Sequence, residues 1–83
     1  DVSVVFADAY AADEVERVFL FTNPTAEGEF GVWTFNDPRE AFQQFNTYTT
    51  VTNGDIAWVI FRATSTFRGR KYFTGINQIS LTC

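Results

Sequence analysis

Apolar positions along this chain recur mostly in alternation or in short runs, the spacing of strands rather than of long helices. Val2 to Phe6 reads as a first strand, β-branched and apolar. Asp8 to Glu16 is Ala-rich and acidic, and suits one or two helical turns as well as a loop. Arg17 to Thr22 predicts a second strand, and Asn23-Pro24-Thr25 a turn, because proline fixes φ and cannot donate to a ladder. Glu29 to Phe35 predicts a third strand, with Phe30, Val32 and Thr34 on one side and Trp33 and Phe35 on the other. Asn36-Asp37-Pro38 has the form of a helix start, a capping side chain followed by proline. Arg39 to Phe45 can then wind about two turns, with Phe42 and Phe45 on one face.

Thr47 to Thr52 is β-like, and Asn53-Gly54-Asp55 is a tight turn that tolerates positive φ. Ile56 to Arg62 carries the strongest strand signal. Thr64 to Thr66 reads as a loop, Gly69 to Thr74 as a strand ending at Gly75, and Gln78 to Thr82 as the last strand. Short strands with frequent turn signals predict one all-β or β-rich α+β domain spanning residues 1–83. Its expected form is an antiparallel Greek-key sandwich with at most one short helix near residues 38–45. An α+β sheet that wraps a helix is the alternative, with an open edge able to pair with another chain. Trp33, Trp58 and the phenylalanines then serve either a ligand cavity or the core.

Two segments echo each other. Val18–Phe21 leads to Gly28 as Val59–Phe61 leads to Gly69, and Phe21 and Phe61 stand 40 positions apart. The second copy, Phe61-Arg62-Ala63-Thr64-Ser65-Thr66-Phe67-Arg68-Gly69 with Trp58 before it, resembles the βγ-crystallin signature of two spaced aromatics and a glycine. That family closes each unit with Asn/Asp-Asn/Asp-x-x-Ser/Thr-Ser. Asn46, Thr49 and Thr50 match the second, fifth and sixth places, and Asn77 and Ser80 the second and fifth. Phe45 and Ile76 replace the first-place carboxylate or amide, and Ala26 stands where an aromatic would precede Gly28. The resemblance implies a Greek-key fold and a calcium site using Asn46, Thr49, Asn77 and Ser80. It also admits a structural role, or that of a secreted proteinase inhibitor or toxin. An inhibitor needs an exposed rigid loop, for which Thr22–Gly28 and Ala63–Arg68 are the candidates.

Composition narrows the chemistry. Ten Phe, three Tyr and two Trp supply ring area for a core in so short a chain. With no His and a single Cys at position 83, donor sets for zinc or copper are missing, and no intramolecular disulfide can form. Hence the expected cofactor is none, or calcium. No nucleophile has a histidine beside it, so no enzyme is expected. The chain starts at Asp1 and lacks Met, which suggests a processed product: a mature secreted protein, a domain freed of a tag, or a fragment.

Net charge is −4, unevenly spread: residues 1–55 hold all ten acids with Arg17 and Arg39, and the remainder holds only Arg62, Arg68, Arg70 and Lys71. These four alternate with aromatic rings and form a candidate surface for an acidic protein partner. The acidic balance opposes nucleic acid and anionic membranes. A protein partner or self-association is therefore the expected interaction.

Overall fold

In the computed structural model, which describes residues 1–82, the strongest apolar runs pair into a four-stranded antiparallel sheet. Its strands are β1 (Val15–Thr22), β2 (Val32–Asn36), β3 (Asp55–Phe61) and β6 (Gly75–Leu81), in the order β2-β1-β3-β6. A small hairpin, β4 (Ser65–Phe67) with β5 (Arg70–Tyr72), forms a second sheet. The β-rich, antiparallel expectation holds.

The N-terminus departs from expectation. Val2–Phe6 is not a strand: α1 (Val2–Val5) and α2 (Ala7–Ala11) are short helices. Asp1 caps the first, its Oδ1 accepting from the Ser3 amide at 3.0 Å. Val2, Phe6 and Ala9, spaced i, i+4, i+7, are all buried, whereas Val4 is exposed. Burial of that helical stripe overrides the β-propensity of valine. The second helix closes in a Schellman motif, with Asp13 at φ 57° and the Glu14 amide donating to Ala9 O at 3.0 Å. The chain thus has two short helices beyond the one foreseen near 38–45, which is itself a 3₁₀ turn over Glu40–Phe45.

Two further expectations are corrected. Thr47–Thr52 forms no strand; β2 and β3 both run antiparallel to β1, so residues 37–54 must cross the sheet's length between them. On the way, the Thr47 and Tyr48 amides donate to Phe35 O, covering part of the β2 edge, and Tyr48 enters the core. Thr64–Thr66 is not simply a loop, because Ser65 and Phe67 are buried members of β4. That also removes Ala63–Arg68 as an exposed inhibitor-type loop. Residues 22–28 do stand exposed between β1 and β2.

The core lies on one side of the main sheet. Val18, Ala57, Val59, Phe61, Ile79 and Leu81 point into it, met by Val2, Phe6, Tyr48 and Phe67. A bulge between Val15 and Arg17 shifts the alternation, so Val15 and Val18 both face inward and both are fully buried. Phe6 stacks on Phe67 with ring centroids 4.7 Å apart, and Phe61 on Tyr72 at 5.5 Å. The proposed repeat fails at its anchor residues: Phe61 is 1% exposed in this core, whereas Phe21 is 39% exposed on the sheet's opposite side.

Candidate functional site

Period-two alternation sends the remaining strand residues to the outer face. Phe35, Phe19, Trp58 and Gln78 form one cross-strand row, and Arg17, Ile60 and Ile76 the next. Phe21 pairs with Trp33 and Ile56 with Ser80 in the row beyond. Edge strands β2 and β6 bring Trp33 and Ile76, 58% and 67% exposed; inner strand β3 brings Trp58 and Ile56.

Between them lies a shallow hollow of about 470 Å³ lined by Phe19, Trp33, Trp58, Ile60 and Ile76. Its lining contributes no polar surface. The half-exposed side chains leave roughly 500 Å² of apolar area, near the upper end of what monomers usually expose.

The rings are held in place locally. Phe21 packs on Trp33 with centroids 5.1 Å apart, and Phe19 meets Trp33 edge-on at 6.4 Å. Gly31 permits the first contact, because a Cβ there would collide with the Phe21 ring. At the corner, the Arg17 guanidinium lies 4.4 Å from the Phe35 ring centroid. In the paired rows of this face Arg17 is the single charged residue, and its charge is met by Asp37.

Asp37 is the electrostatic anchor of that corner. It is fully buried, and its Oδ2 accepts from Arg17 Nε at 3.0 Å and Arg39 Nη2 at 2.6 Å. Its Oδ1 accepts from the Arg39 amide at 2.9 Å. Burial pushes this carboxyl up, but the hydrogen bonds from Arg39 and Arg17 and the Arg39 charge outweigh it, holding the pKa at about 2. The helix-start reading of Asn36-Asp37-Pro38 is corrected: the short turn over Glu40–Phe45 follows Arg39 with no side-chain cap, and Asp37 clamps two arginines instead. Nearby, Tyr10 donates to Asn36 Oδ1 at 2.7 Å. Burial, then the Asp37 carboxylate and Tyr48, raise its phenol above the usual range.

The residues singled out from sequence lie elsewhere. Asn46 Oδ1 accepts from the Asp37 amide at 2.8 Å, and the Thr49 carbonyl accepts from Val2 N at 3.0 Å. Both belong to the crossover that follows β2. Asn77 and Ser80 sit on β6, the opposite edge of the sheet, where Asn77 Nδ2 donates to Phe73 O at 2.9 Å. The two crystallin-like stretches are therefore not brought together. Among the described residues, no group of three or more His, Cys, Asp or Glu gathers in a way that could hold a metal ion.

Of the basic set, Arg62 faces Asp13 at 3.6 Å. Arg68, Arg70 and Lys71 cluster on the β4–β5 hairpin and its turn, Arg68 donating to Thr82 O at 2.8 Å. Arg70 and Lys71 lie over the rings of Tyr72 and Phe73. Cys83 is outside the described residues. Among the described residues, no helix is long and apolar enough to cross a membrane.

The sequence leaves Trp33, Trp58 and the phenylalanines open between a ligand cavity and the core, and does not gather them on one exposed sheet face. Its signal was legible: Val18–Phe21 and Ile56–Phe61 are apolar at both parities, the mark of strands covered on two sides. Comparison with family models, curated proteins and solved structures finds no match.

Proposed function

We propose that this chain is a non-catalytic, partner-binding α+β module that docks through the outer face of its main sheet. One observation carries the reading: Phe19, Trp33, Trp58, Ile60 and Ile76 line a preformed apolar hollow that none of the described residues fills. The hollow itself is lined by rings and aliphatic side chains alone, so in this reading it acts by burial. In this reading the four-stranded sheet is one layer of a sandwich, and a partner supplies the other layer.

An environment-sensitive apolar fluorophore tests it. The wild type should take up the probe and transfer energy to it from its tryptophans. Ile76→Lys should weaken uptake severalfold while leaving the melting midpoint within a few degrees. Absence of uptake by the wild type, or unchanged uptake by the variant, would remove the outer face as the docking surface.

A further inference from the structure

We infer that the surface that covers this face is a second copy of the chain, packed sheet to sheet as a twofold dimer. The inference rests on the docking reading above and adds the identity of the partner.

Charge supplies the first argument. The chain carries ten acids and a net charge of −4, so two copies repel at most orientations. Among the described residues, the paired rows of the outer face contain no carboxylate, and their one cation is held by buried Asp37. This is the approach along which the paired strand residues of an acidic chain meet their own copy with no carboxylate among them. At the β6 margin, exposed Gln78 and Ser80 provide the uncharged polar rim that an interface uses around an apolar centre.

Area supplies the second. Burying the bare apolar surface of both copies removes roughly 1,000 Å² from water, the threshold for a specific interface. A small apolar ligand seated in the hollow would leave most of that surface exposed.

Geometry supplies the third. Sheets pack about 10 Å apart when the side chains of two apolar faces interdigitate. This face has what that needs: Ile76 and Trp33 stand proud on the outer strands, with a hollow between them. A twofold pair makes the interface isologous, so one apolar surface satisfies both sides.

Sedimentation equilibrium of the wild-type chain from micromolar to millimolar concentration tests this, read together with tryptophan emission. The chain's two tryptophans, Trp33 and Trp58, both line the hollow and report on it directly. The expected result is a rise from monomer to dimer mass, with emission shifting to shorter wavelength over the same range. Ile76→Lys should weaken dimerisation at least tenfold while keeping the circular dichroism and melting curve of the wild type. A wild type that stays monomeric throughout overturns the self-pairing. If it still takes up the apolar probe, the docking face stands with another partner; if it takes up none, both readings fall. A dimer whose emission does not move with concentration, or that Ile76→Lys leaves intact, also overturns it.

Discussion

One sheet presents two apolar faces here, and they meet opposite fates. On the inner side Val18, Val59, Phe61 and Leu81 are sealed by two helices, Tyr48 and the β4–β5 hairpin. On the outer side Phe21, Trp33, Trp58 and Ile76 are equally apolar and stay in contact with solvent. Hydrophobicity alone does not distinguish the faces; what differs is what the described residues lay over them. They cover one side. A soluble monomer would ordinarily place polar groups on the other. That the second side keeps its rings is the difference that points to a partner.

Substitutions on the two faces break this comparison most sharply. Phe61→Ala should cost about 3–5 kcal/mol, because it opens a cavity in a sealed core, enough to unfold much of a domain this small. Urea denaturation measures that loss. Trp58→Ser, in the middle of the same strand but facing outward, should change the stability of the monomer by less than about 1 kcal/mol. Equal losses at the two sites would mean that both faces are packed.

The Arg17–Asp37–Arg39 corner is the next test, since it ties the crossover to the edge of the outer face. Asp37→Ala should destabilise by about 2 kcal/mol, at the lower end for a buried pair because both arginines reach solvent. The carboxyl titrates lower in the folded than in the unfolded chain, so its stabilisation is complete above the usual carboxylate pKa. It is lost as pH falls from about 4 toward 2. Acid unfolding of the wild type should be steep in that window, and that of the variant shallower. At the other extreme, the raised phenol of Tyr10 is stabilising below its unfolded pKa, and that stabilisation declines as pH climbs past it.

Smaller effects sharpen the picture. Gly31→Ala should displace the Phe21 ring and lower probe binding about twofold, with little change in melting, because only the outer face feels the collision. Asp13→Gly should stabilise by up to about 1 kcal/mol, since a left-handed residue at the helix end favours glycine; loss of the exposed Arg62 contact offsets part of it.

Much of the sheet was legible in the sequence, because β1 and β3 owe their form to local β-branched and aromatic runs. The Asn53-Gly54 turn and the break near Pro38 were equally local. What escaped was set by distant partners. Val2–Phe6 has strand composition, and only the i, i+4, i+7 placement of Val2, Phe6 and Ala9 against the sheet makes it helical. The bulge at Glu16 is likewise invisible until Val15 and Val18 are found on the same side. The candidate site escaped for another reason. A ring bound for a core and a ring bound for a partner obey one alternation, and the residues with familiar spacing, Asn46 and Asn77 among them, stand at opposite edges.

Quenching by acrylamide, applied to Trp33→Phe so that Trp58 alone reports, tests the bare outer face most directly. In dilute solution Trp58 should be quenched readily, and at high concentration it should become shielded as a second copy covers it. A Trp58 already shielded in the dilute monomer would contradict the account, because the chain would then be covering that face itself.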